Sequence, residues 1–503
     1  MNLTEQADLA LASDPEFGAS TVIEAKNIAR YRLGLTVLAG RLPDAAPLFK
    51  QLAELDDAAL RPMMYDPVLR NAFEDDVVAL ENGAAEPGSL AHYLALDLGA
   101  FSEGRGPCER LTAPAVLLSP DRSPAWVWTE LRPASPAEQV VADRLEELLA
   151  GSLADARDAG RVVPDEDMLV ALHRGRALLA DLLPNAAAGV LPHISLVGFA
   201  RGEMTDGPFN SLAGGDPLPS AVLMAPEQLG DPWMTAEILL HEGLHLKLFD
   251  ILRTCSMVRD PDQTVPIPWR ISSWALTRVL FALHVYVHMV LFRAAAADAP
   301  AELRDRYGEP PKTEVVDAPT EGSEAAETGD YLTGLQRARY LGRQAAETYR
   351  DQLTPEGGRF VDWLLEALDA LAPGTGSAGG PAVAAGTGEP GGAADTALPE
   401  PARRPVSDEP VPVPVSVPVS GYRKAEPVFA CPIPEHRQLL AFSPEPPRFR
   451  WLNEHAWAIY ALCDGGDIDS IRSRYRAATG DVTDERLEAG LAALVSAGLI
   501  VPA

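Results

Sequence analysis

The sequence has little cysteine. Four occur in 503 residues, Cys108, Cys255, Cys431 and Cys463, none of them in C-x-x-C spacing. That excludes a disulfide framework, argues against a cysteine-held metal, and reads as reduced thiols in a cytoplasmic protein. Positive charge is scarce as well. The 42 Lys and Arg stand against 72 Asp and Glu, a formal charge of −30. Such a balance argues against general affinity for nucleic acid or for an anionic membrane. No basic stretch followed by an apolar run opens the chain, so no signal peptide is expected. Long apolar runs are missing too. The most apolar, LFALHVYVHMVLF, is short for a membrane span and carries two histidines.

What is present is enough for a sizeable core. Hydrophobic residues make up 47% of a length that suits two or three domains. Up to about residue 185 the pattern is mainly helical, as in VIEAKNIARYRLGLTVLAGRL and PAEQVVADRLEELLAG. Neither His92 nor His173 there has a partner to suggest a ligand role. LPHISLVGFA and PSAVLMAP read as strands, with His193 on the first and a loop between them. After residue 372 the composition turns to Gly, Ala and Pro, which predicts a linker over 373–421. The expected organisation is a helical metal-site domain with a small sheet (α+β) over 1–372, that linker, and a small domain over 422–503. The last should hold three strands, FACPI, QLLAFS and PRFRWLN, and three helices, a winged-helix-like arrangement. Its nine Lys and Arg against eleven Asp and Glu favour a peptide partner over DNA.

The chemistry concentrates in DPWMTAEILLHEGLHLKLFDILR, residues 231–253. His241, Glu242 and His245 form an H-E-x-x-H motif, and residues four apart share one face of a helix, so both imidazoles can reach one ion. Asp231 suits the N-cap and Pro232 the first helical position. A second helix, expected from about Ser272 to Ala297, carries His284 and His288, again four apart. His284 is the expected third ligand, and His288 an alternative or a partner to the ligands.

H-E-x-x-H is first read as a zinc peptidase with Glu242 as general base to a metal-bound water. Leu248 and Ile251 stand where a metzincin needs Gly and His, and no Glu occurs between Glu242 and Glu302 for a gluzincin. Three imidazoles would suit Zn(II), Fe(II) or another divalent ion. Asp250 and Asp260 keep an Asp-ligand peptidase open.

LLHEGLHLKLFDIL, with PSAVLMAP before it and PIPWR and ALHVYVH after it, resembles the HExxH family of Fe(II)- and 2-oxoglutarate-dependent peptide β-hydroxylases over roughly residues 190 to 295. WLNEHAWAIYALCDGGDIDSI and LAALVSAGLI are similar to the PqqD-like domain, the recognition element that binds the leader of a ribosomally made precursor peptide. The resemblance implies iron on His241, His245 and His284, with Glu242 handling protons. It also implies Arg270 or Arg278 holding the 2-oxoglutarate carboxylate, and a leader peptide added as a strand at a sheet edge. The expected reaction is leader-guided β-hydroxylation of a peptide side chain. A zinc peptidase trimming a modified peptide and a non-enzymatic leader-binding scaffold with a structural metal are the alternatives.

Overall fold

A computed structural model describes residues 2–83, 87–96, 105–112, 116–117, 125–204, 207–312, 323–328, 331–371, 421–426, 428–479 and 484–503. The predicted linker, apart from Gly421, lies outside the described residues. The described chain is mostly helical with small sheets. It forms two compact units whose late boundary, after Pro401, falls inside the linker expected over 373–421, while residues 25–64 and 69–105 cluster with the C-terminal segment. The first comprises Met1–Glu24, Tyr65–Val68 and Gly106–Pro401; the second comprises Ala25–Met64, Leu69–Arg105 and Ala402–Ala503.

The first unit is built on a seven-stranded sheet. Its strands are β1 (Val116–Leu117), β2 (Trp126–Val127), β3 (Arg157–Val162), β4 (Leu196–Met204), β5 (Gly207–Pro208), β6 (Ser211–Ala213) and β7 (Ala221–Met224). The main path runs β1-β2-β4-β7-β6, with β3 and β5 also paired to β4. β4 is parallel to β2 and β7, and β6 returns antiparallel to β7. β7 appears where the apolar run AVLM predicts it. The expected first strand starts later, at Leu196, because Pro192 sets a 3-10 turn over Leu191–His193. His193 therefore sits on that turn rather than on the strand. β6 lies in a stretch expected to be loop.

From β7 the chain passes through a short turn into the site helix, Pro232–Leu252. The N-cap is as read: Asp231 Oδ1 accepts the Trp233 amide at 2.9 Å, and Pro232 opens the helix. The apolar residues do not make a single stripe. Leu239, Leu240, Leu244 and Leu248 are all fully buried, and this helix is enclosed on nearly every side. Only Met234, Glu237, His241 and His245, at spacings of three and four, form a less buried line after the first turn. Gly243 explains the tight packing behind them, since a Cβ there would lie 2.4 Å from Val190 Cγ1.

A hairpin of β8 (Thr264–Pro266) and β9 (Ser273–Ala275) precedes the second long helix, Leu276–Ala297. This helix starts four residues later than expected, because Ser273–Ala275 is strand. It is the one described helix long and apolar enough to cross a membrane by length and composition, but most of it is buried in the protein core.

In the second unit the three expected strands form a meander: β11 (Phe429–Ile433), β12 (Gln438–Pro444) and β13 (Pro447–Leu452). The three expected helices are Glu454–Leu462, Ile468–Thr479 and Asp484–Ser496. A further sheet joins β10 (Gly421–Lys424) to β14 (Asp464–Asp467) and β15 (Ile500–Pro502). Period two splits the meander's side chains between two faces. Leu439, Ala441 and Leu452 pack with Ile459, Leu487, Leu491 and Leu494 of the helices. Phe429, Phe442 and Phe449 form a row on the other face. That row meets helices from the N-terminal part of the same unit. Phe449 lies 3.7 Å from where Gly34 would carry a Cβ, Phe429 lies 3.5 Å from that point on Gly40, and the Arg30 guanidinium stands between Phe73 and Phe449. The C-terminal strands and helices are thus one layer of a larger unit.

Candidate metal centre

Helical spacing sets the first part of the site. The ligand atoms of His241, Glu242 and His245 lie within 4.8 Å of one another, the one such grouping among the described residues. The two imidazoles stand edge to face with ring centroids 5.0 Å apart. Glu242 points into the protein, where its Oε1 accepts a 2.7 Å hydrogen bond from Ser211 Oγ on β6. Both partners are buried, so this bond fixes the carboxylate's orientation. Sequence reasoning missed Ser211, because the only signal was a serine in a stretch rich in loop formers.

Burial holds the His245 imidazole well below the ordinary histidine range, and neighbouring His241 and Arg278 push it the same way. It is therefore neutral at neutral pH, the form that ligates metal. His245 Nδ1 is buried without a hydrogen-bond partner. An unpaired buried polar atom costs roughly 1–3 kcal/mol, and an ion is one way to satisfy it. Two neutral imidazoles and a carboxylate on one face fit a divalent transition metal.

The expected cation candidates separate. Arg278, on the second long helix, is close enough to act on His245 electrostatically, and its guanidinium lies over the Trp274 ring at 4.6 Å. Among the described residues it has no carboxylate partner. Arg270, in the β8–β9 loop, is half-buried and already has a partner of its own. No described contact brings Arg270 to the trio. Phe281 completes the wall, with its ring centroid 5.8 Å from that of His245.

His284, the expected third ligand, lies outside this 4.8 Å grouping, although its imidazole is within electrostatic reach of His245. On its helix it lies about 60° around from Phe281, the residue that faces His245. It is fully buried, with its ring beside those of His288, Phe360 and Trp363. Asp250 is buried too, but its Oδ2 is bonded to His193 Nδ1 at 2.7 Å, so it is no ligand to the trio. Asp260, in the loop after the site helix, caps the Asp262 amide and is likewise outside the trio. No known family model matches the chain, and no curated protein is significantly similar to it.

Proposed function

We propose that the chain is a metal-dependent enzyme that oxidises a peptide side chain, with the metal on His241 and His245 and Glu242 beside it. The observation that carries this reading is Arg278. An unpaired guanidinium within electrostatic reach of a His-Glu-His trio suits a site that takes a carboxylate next to a metal, as 2-oxoglutarate requires. Two imidazoles suit Fe(II) and leave positions open for 2-oxoglutarate and O2. Bound Fe(II) with 2-oxoglutarate and O2 would supply the oxidising power for β-hydroxylation, releasing succinate. The chain's own residues then have separate tasks. His241 and His245 hold the ion, Arg278 orients the carboxylate, and Trp274 keeps that guanidinium in place by its ring face. Glu242, oriented by Ser211, holds or moves a proton beside the ion.

In this reading the C-terminal strands and helices recognise the leader of a precursor peptide as an added strand, in a winged-helix-like arrangement. Partners are then the leader and core of that peptide, and the work takes place inside the cell. The peptidase reading keeps one supporting observation. Glu242 is placed next to the ligand pair, as a general base to a metal-bound water would be. The scaffold reading would need only a structural ion.

Incubation with Fe(II), 2-oxoglutarate, O2 and candidate precursor peptides separates them. Succinate and a peptide heavier by one oxygen support oxidation. Shortened peptide with Zn(II) and no 2-oxoglutarate supports hydrolysis. A bound peptide left unchanged with either metal supports the scaffold.

A further inference from the structure

We propose that the first unit binds a second divalent metal ion, held by His193, His284 and His288 on a different side of the site helix from His241 and His245. The second pair copies the first. His284 and His288 are four residues apart with ring centroids 4.8 Å apart and planes at 82°, against 5.0 Å and 68° for His241 and His245. The three imidazoles are at most 2% exposed.

The ring nitrogens of His193 and His288 have assignable states. His193 Nδ1 donates to the Asp250 carboxylate at 2.7 Å, which leaves the lone pair on Nε2, and Nε2 is buried with no partner. His288 Nδ1 donates to the His284 carbonyl at 2.8 Å, which likewise leaves its lone pair on Nε2. Both His284 nitrogens are buried without a partner. A carboxylate behind an imidazole whose far nitrogen is free is the outer arrangement of a metal-bound histidine. Asp250 is in turn held by the Tyr65 hydroxyl at 3.3 Å and Arg253 at 3.7 Å.

Asp250 and Lys247 lie about 140° and 200° around the helix from His245, so His193 meets the helix on another side, while His284 is within electrostatic reach of both His193 and His245. All-imidazole donors in a buried place select a borderline ion of the Zn(II) class over Mg(II) or Ca(II), with the fourth position left to water. Among the described residues only the first trio already has converged ligand atoms. Binding at the second site therefore requires the His284 ring to turn. The Lys247 amine, 2.7 Å from the Gly18 carbonyl, acts electrostatically on both His284 and His288 and opposes a cation there. The second ion is thus the weaker of the two.

Equilibrium dialysis of the metal-free, full-length protein against Zn(II) alone tests this. We expect two ions in the wild type, one in the double variant His241→Ala/His245→Ala, and one in His193→Ala/His288→Ala. The first variant leaves the second cluster untouched, so it decides even if the other fails to fold. Co(II) added to that first variant should give the intense visible bands of a nitrogen-rich four-coordinate site. No zinc in His241→Ala/His245→Ala with an unchanged thermal melt overturns the proposal, whether the wild type holds one ion or two. Two zinc ions retained by His193→Ala/His288→Ala would do the same.

Discussion

The two compact units spend their buried residues differently. The first places Glu242, Lys247, Asp250, His193, His284 and His288 inside an otherwise apolar core. The second also buries Asn27, Arg30, Arg61, Arg70, Asn71 and Asp76 among its N-terminal helices, with Arg30 paired to Glu74, but its core around the C-terminal helices is almost wholly apolar, with the row Phe429, Phe442 and Phe449 on the other face of the meander. Burying polar and ionisable groups costs stability unless each is paired, whereas burying phenylalanine supplies it. The first unit bears that cost around the site helix, where nitrogens of His193, His245 and His284 are left without a partner, whereas the core around the second unit's C-terminal helices is apolar. On the proposed reading the chemistry belongs to the first.

The largest expected effect breaks the comparison on the chemical side. His245→Ala should abolish turnover and remove the ion from the trio while leaving the far-ultraviolet spectrum intact; retained turnover with full metal content would mean that the trio is not the site. Next is the cohesive side. Phe442→Ala, at a fully buried position, should destabilise the second unit by about 3–5 kcal/mol, read by denaturant unfolding, with metal content unchanged. Gly243→Ala probes the metal helix by packing alone. The new Cβ meets Val190, and overpacking of that kind costs about 1–3 kcal/mol. If its melt matches the wild type, the tight helix contact is not real.

Ser211→Ala should leave the metal bound yet lower turnover by roughly 10–100-fold, the usual range for losing a hydrogen bond that orients a group at a metal. The smallest effect concerns pH. Asp8 is buried and accepts the Ala186 amide at the start of helix Pro184–Val190, but burial is the larger influence and raises its carboxyl above the ordinary 3.8. A raised folded value means that the native state holds the proton more tightly. Its contribution is full below the unfolded value and is lost as pH rises through the folded one. Asp8→Asn should flatten that fall in a series of melts across acidic pH.

Local signals were legible and long-range ones were not. The cap at Asp231, the H-E-x-x-H face and the strands FACPI, QLLAFS and PRFRWLN follow from neighbours in sequence, and all are present in the structure. That His284 would sit outside the converged trio was not legible, because a shared helix face does not say which neighbouring helix it meets. His193 looked partnerless because Asp250 is 57 residues away. The membership of the C-terminal unit was hidden for the same reason. Composition marks a linker, but only packing reveals that residues 25–64 and 69–105 cluster with the C-terminal segment.

The most direct test of the oxidation reading is succinate release from 2-oxoglutarate by the full-length protein with Fe(II) and O2, compared with Arg278→Ala and His245→Ala. Succinate from the wild type, with a raised 2-oxoglutarate requirement in Arg278→Ala and none formed by His245→Ala, is the expected result. No succinate from the wild type with any candidate peptide, together with Zn(II)-dependent peptide cleavage, would contradict it.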